Sequence, residues 1–212
     1  MDYEQFFSSI PGQLLCVGII ILFFAAIFFM TRKEKLSAKA ITMSAILIAL
    51  AFVSNNFLPR WRLPNGGSVT LFSMLFLYLI GYTMGLKVGI IGGMAYGVLD
   101  LLFSASAYYP LQILLDFPFA FGALGLGALL RDKKFGLQGG YILGAFMRFV
   151  MSFLSGYFFF AEYTPEGYSP VMWAIVYNGT YILIEGIITL IVMSLKPVST
   201  AIARMRKSYE KL

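Results

Sequence analysis

Histidine is absent from the chain, and Cys16 is its only cysteine. The first absence excludes imidazole-based acid–base catalysis, His metal sites and nucleophile pairs that depend on a His base. The second excludes an intrachain disulfide and a thiolate zinc cluster, and leaves Cys16 as an apolar packing residue. Charge is scarce too: 12% of the 212 residues are charged, against 59% hydrophobic, and mean hydropathy is +0.82. A soluble domain carries about 25% charged residues because its surface must be wetted. The polar groups here are too few for that, so the chain belongs in lipid.

A helix crossing about 30 Å of hydrocarbon needs roughly 20 residues. The apolar runs predict spans at Pro11–Met30, Ala40–Phe57, Val69–Met84, Val88–Ser104, Leu111–Leu130, Leu137–Phe160 and Val171–Leu195. Gly and Pro mark the joints, as in Leu63-Pro64-Asn65-Gly66-Gly67 and Tyr163-Thr164-Pro165-Glu166-Gly167. Ala38-Lys39-Ala40 has the form of a cleavage site, but Asp2 and Glu4 precede the first run and Arg32, Lys33 and Lys35 follow it. Those flanks fit a retained helix with a translocated N-terminus. The expected organisation is an extra helix and basic linker at 1–36, a membrane domain at 37–197, and a basic cytoplasmic tail at 198–212.

Thirteen of the sixteen Lys and Arg residues fall in one alternating set of loops and the tail; the other set holds only Arg60 and Arg62, and Arg148 lies inside a span. Basic loops stay inside. The N-terminus is therefore expected outside and the C-terminus in the cytoplasm, and the net charge of +6 reports topology rather than nucleic-acid binding. The loops Leu58–Ser68, Ala105–Pro110 and Ala161–Pro170 then face outward, with any exterior site beneath them.

Ionisable groups in hydrocarbon cost roughly 2.5–3.5 kcal/mol each on insertion scales, so Asp100, Asp116, Arg148 and Glu185 each need a reason. Asp116 lies near the outer surface on the fifth span, with Gln112 four residues earlier on the same face. The sixth span carries Arg148, Ser152, Gly156 and Phe160 at i, i+4 spacing; the seventh opens with Trp173, Tyr177 and Asn178. Plainer readings stay open: Gly156 as a close-packing glycine, Trp173 as an interface anchor, Asp116 and Arg148 as an ion pair. The pair would need strong tilt, since Arg148 lies roughly 12 Å deeper than Gly156. Glu185 reads as structural. A carboxylate among rings suits a small organic cation, through opposite charge and cation–π contacts of roughly 0.5–2 kcal/mol each, with Asn178 able to bond a heteroaromatic edge.

From about Ala40 to Leu195 the chain resembles the thiamine-specific S-components of energy-coupling factor (ECF) transporters. The resemblance rests on Pro64-Asn65-Gly66-Gly67-Ser68-Val69, on Gln112-Ile113-Leu114-Leu115-Asp116-Phe117 with Ala120-Phe121, and on Ser155-Gly156, Phe158-Phe159-Phe160, Tyr163, Pro165-Glu166-Gly167 and Tyr177-Asn178. It implies an all-α integral membrane protein: a six-helix S-component bundle plus one extra N-terminal helix. It implies that Asp116 faces the thiamine cation with Phe117 as the neighbouring aromatic. It further implies that Phe160 stacks on the ligand, Trp173 and Asn178 take an aromatic and a polar position, Gly156 permits close approach, and Arg148 holds the usual basic position. Ser152 departs from the pattern, which usually has His; a lost ring contact predicts weaker thiamine binding or a related cationic heterocycle.

The resemblance also implies partners: a transmembrane coupling subunit docking on the small-residue face of Ala45-Ile46-Leu47-Ile48-Ala49, and two ATPase subunits. The chain has no Gly-x-x-x-x-Gly-Lys-Ser/Thr loop of its own, so ATP would be used by those partners, and neither a cofactor nor a metal is expected on this chain. An intramembrane enzyme would need paired carboxylates with a metal, or Ser or Cys with a base; no Asp-x-x-x-Asp or Asp-Asp cluster occurs. A stand-alone proton-coupled carrier would use Asp100, Asp116 or Glu185 as a relay, but no internal repeat is evident.

Overall fold

The computed structural model describes residues 9–33, 36–59, 61–63, 68–103 and 109–211. Asp2, Glu4, Lys35 and Arg60 lie outside them, as do Pro64-Asn65-Gly66-Gly67 and most of the expected outer loop Ala105–Pro110. Serine caps set three helix starts, each accepting an N–H of the first turn. Ser9 accepts from Gly12 at 3.4 Å ahead of α1 (Ile10–Met30), and Ser37 from Ala40 at 3.1 Å ahead of α2 (Ala38–Phe57). Ser169 accepts from Met172 at 3.2 Å ahead of α7 (Pro170–Ser194), with Pro in its first turn. Between α2 and α7 lie α3 (Ser73–Met84), α4 (Leu86–Phe103), α5 (Pro110–Leu130) and α6 (Gly136–Phe159). Among the described residues, six helices are long and apolar enough to cross a membrane. The fold is an all-α membrane fold.

The third run departs from expectation. Ser68–Val69 is an extended strand pairing antiparallel with Trp61–Arg62, with Trp61 opposite Val69, and helix begins only at Ser73, after Phe72 in the left-handed region at φ 67°. The resulting 12-residue helix is about 18 Å long, and eleven of its residues are buried. Such an all-round apolar helix is core rather than lipid-facing. Because the helix is short, the space ahead of its N-terminus is left to extended chain and to a cavity.

Helix α5 is irregular: a π-turn at Leu115–Phe119 contains Pro118, and a 3-10 stretch ends the helix at Gly125–Leu130. Pro118 cannot donate to the ladder, and the helix widens so that the Ala120 N–H reaches Leu115 O. Helix α4 meets this turn through glycine. A Cβ on Gly97 would lie 2.4 Å from Phe117 O, and one on Gly93 would lie 2.2 Å from Phe121 O. Bare backbone on α4 therefore lets the irregular turn sit against it, deep in the protein.

The basic tail is not loose. Helix α8 (Lys196–Glu210) packs Val198, Ile202, Met205 and Tyr209 onto the core. Arg206 bonds Asp132, bonds Glu210 at 2.8 Å and lies over the Tyr82 ring. Lys39 donates to Tyr209 O at 2.8 Å. Helix α8 thus ties together the ends of α2, α3 and α7 and the α5–α6 turn.

Candidate functional site

A cavity of about 620 Å³ opens where α3 falls short. The first strand pair edges it, since Ser68 and Thr70 line it, and its walls come from α2, α4, α5, α6 and α7. Asp116 projects into it from the π-turn. Gln112 fixes the carboxylate: its Nε2 donates to Asp116 Oδ2 at 2.6 Å, while its Oε1 accepts the Tyr109 N–H at 3.4 Å at the start of α5. One amide thus joins the helix cap to the acid.

Opposite stands a ladder of rings. Trp173, Tyr177 and Tyr181 recur at i, i+4, i+8 on α7, with centroids 6.0 and 6.1 Å apart. Phe160 and Tyr163, 6.1 Å apart, line the cavity just after α6 ends. Gly156 lets α6 and α7 approach, because a Cβ there would lie 2.8 Å from Asn178 Nδ2. Asn178 Nδ2 donates to Ala174 O at 3.0 Å, and its Oδ1 accepts from Tyr181 at 2.9 Å. Each amide atom keeps capacity for a further bond.

The floor is polar as well. The Arg148 guanidinium lies 4.5 Å over the Phe121 ring, and its Nε and Nη1 find no hydrogen-bond partner among the described residues. Among the described residues no ion pair joins it to Asp116; the ion pairs found there link Arg131 and Arg206 to Asp132 and Glu210. Glu185 receives Thr70 Oγ1 at 2.7 Å, Ser73 Oγ at 3.1 Å and the Met74 N–H at 3.0 Å. Its carboxylate therefore caps the N-terminus of α3, where the helix dipole favours negative charge. On the α4 side, Asp100 accepts from Asn55 Nδ2 at 2.6 Å.

Of the ten ligand positions expected from sequence, Gln112, Asp116, Arg148, Ser152, Gly156, Phe160, Trp173, Tyr177 and Asn178 all line this one cavity. Phe117 does not. Its side chain is buried in the core, and its backbone carbonyl faces Gly97. Neighbours on a helix point about 100° apart, so a turn that aims Asp116 at the cavity aims Phe117 away. Sequence reasoning passed over Tyr181 as a wall residue, and it read Glu185 as structural only. Both continue the i+4 series from Trp173 and Tyr177, which was the available signal. Thr70, Ser73, Tyr96 and Asn55 carried none. Ala45 and Ala49 lie on the outer surface of α2, exposed.

A family model described as thiamine transporter protein matches residues 41–204. Thiamine transporter ThiT of Bacillus subtilis (strain 168) is 29% identical over 167 residues, 72% of this chain and 85% of that protein. ThiT of Lacticaseibacillus paracasei is 28% identical over 118 residues, 48% of this chain and 59% of that protein. A solved structure of ThiT from Listeria monocytogenes superposes with a TM-score of 0.63 at 21% identity, covering 74% of this chain and 94% of that one. That superposition speaks to the fold.

Proposed function

The chain belongs to the thiamine transporter protein family, a family of transporters rather than enzymes, and from that premise we propose that it captures thiamine at the outer face of the bacterial plasma membrane as the S-component of an ECF-type importer. The carrying observation is the pairing of one amide-oriented carboxylate, Asp116, with a facing ring ladder in a cavity of about 620 Å³. Asp116 supplies the charge opposite the thiazolium. Two unit charges about 4 Å apart attract by about 4 kcal/mol at an effective dielectric of 20. Phe160, Trp173 and Tyr177 offer faces for both heterocycles, and Asn178 offers an edge for hydrogen bonding to the aminopyrimidine. Ser152 leaves room in the wall where the family usually has a ring, so a bulkier relative of thiamine is the second ligand to test.

Residues 37–197 are the substrate-binding unit, preceded by the helix and linker at 1–36 and followed by the basic segment 198–212, whose helix packs back on that unit. The N-terminus lies outside and the C-terminus in the cytoplasm. Gln13 near the start of α1 bonds the outer end of α6, which agrees with that arrangement. Energy comes from a coupling subunit and two ATPase subunits. The exposed Ala45 and Ala49 on α2 suit a close helix–helix contact with the first of these. Titrating the purified protein with thiamine while following Trp173 emission tests the ligand assignment. Saturable, one-to-one quenching is expected; no response to thiamine, with a calorimetric titration equally flat, overturns it.

A further inference from the structure

Helix α1 lies ahead of the matched residues 41–204, yet it is not a loose anchor. One of its faces is lipid-ready, with Leu14, Leu22 and Met30 exposed, while Val17, Ile20 and Phe24 are buried. That buried face packs on the cavity-distal side of the two segments that carry the candidate site. Phe24 stacks on Phe119 of the π-turn at 5.1 Å and 12°, and Leu115 at the turn's start belongs to the same cluster. Asp116 sits between these two packed residues. At the outer end, Gln13 Nε2 donates to Phe158 O at 3.2 Å across 145 residues of sequence. Phe158 lies in the last turn of α6, where helix carbonyls lack an intrahelical donor, and Phe160 follows two residues later.

We propose that α1 is a brace that sets ligand affinity from behind the site, with Gln13 as a positioning residue for Phe160 and the Phe24–Phe119 stack as one for Asp116. Gln13 touches no ligand. It pins the end of α6, so the Phe160 ring waits in its binding position. Phe24 clamps the π-turn, so the Asp116 carboxylate does not have to be reoriented at each encounter. Loss of either contact leaves the cavity present but less ordered, and order lost in the free protein must be restored on binding. The proposal rests on the thiamine-site assignment above, and its test separates the two.

The full-length protein, Gln13→Leu and Phe24→Ala are compared in three measurements. These are thiamine affinity and dissociation rate, melting temperature without ligand, and hydrogen exchange of the ligand-free protein at 115–120 and 158–163. A single neutral hydrogen bond corresponds to about a 2- to 10-fold change. Gln13→Leu is therefore expected to weaken thiamine binding by about that factor, mainly through faster dissociation, and to speed exchange at 158–163 only. Phe24→Ala is expected to speed exchange at 115–120 and to weaken binding in the same manner. Exchange unchanged at both segments overturns the brace whether or not thiamine binds. So does exchange accelerated evenly across the protein with a matching fall in melting temperature, which marks a purely structural helix. If the wild type fails to bind thiamine, the ligand assignment falls and the segment-specific exchange alone decides the brace.

Discussion

Gly97→Ala tests how the site is positioned. A Cβ at this residue would lie 2.4 Å from Phe117 O, 2.5 Å from Phe117 C and 2.9 Å from Pro118 N. All three are backbone atoms of the π-turn, so no side-chain rotation relieves the clash. Ordinary contact demands roughly 1 Å more, and α4 and α5 must part by about that distance. Overpacking of this kind costs about 1–3 kcal/mol of stability. The functional effect follows from the same shift. Moving the Asp116 carboxylate from about 4 to about 5 Å from a bound cation lowers the attraction from about 4.2 to about 3.3 kcal/mol at an effective dielectric of 20. That is about a fourfold loss of affinity before any hydrogen bond is counted. Gly186→Ala is the control, because a Cβ there meets nothing within 4 Å and Ala is favoured over Gly in a helix by about 1 kcal/mol. Melting curves with and without thiamine, alongside calorimetric affinities, read both effects. Gly97→Ala as stable and as tight-binding as Gly186→Ala would refute the claim that close α4–α5 approach sets the acid's position.

Phe160→Ala removes one face of the ring wall and is expected to weaken thiamine binding by about 2- to 30-fold, the span of a cation–π contact; calorimetry checks it, and unchanged affinity takes Phe160 out of the site. Glu185→Ala strands the donors of Thr70, Ser73 and Met74 and is expected to lower the melting temperature more than Glu185→Gln, whose one amide oxygen still accepts from Ser73 and Met74. Where α8 meets the α5–α6 turn, the hydrogen bond from Arg206 holds the Asp132 carboxyl below the usual carboxylate range. A lowered native pKa contributes stability above the unfolded value of about 3.9 and loses it as pH falls through the native value. Docking of α8 is thus expected to loosen only below about pH 4, read as faster hydrogen exchange at 196–210, and Asp132→Asn should flatten that dependence.

Much of this was legible in the chain because helices in lipid announce themselves by length. The apolar runs beginning at Pro11 and Val171 start within a residue of the helices Ile10–Met30 and Pro170–Ser194. The i+4 stripes through Arg148 and Trp173 converge on one cavity because two helices can each present only one face to it. Hydropathy failed at Val69–Met84, where a strand residue, an extended crossing and a buried short helix are as apolar as a true span. It carries no sign of whether lipid or protein will cover the surface. The run Leu111–Leu130 read as an ordinary span, and the widened turn at Pro118 that swings Phe117 into the core was not expected from it. The spacing of Val198, Ile202, Met205 and Tyr209 already encoded an amphipathic helix in the tail, although its density of charge reads as a solvated segment.

The central claim is that Asp116 is the charge partner of a bound cation, and one comparison addresses it most directly: calorimetric affinity for thiamine in the wild type and in Asp116→Asn, whose side chain has nearly the same shape and can still bond Gln112. Removing the charge should lower affinity by about 30- to 1,000-fold, from about 2–4 kcal/mol of lost attraction, while the ligand-free melting temperature holds or rises, since a buried charge has been relieved of its desolvation cost. Equal affinities for the two proteins, or a loss of binding matched by a loss of fold, would contradict it.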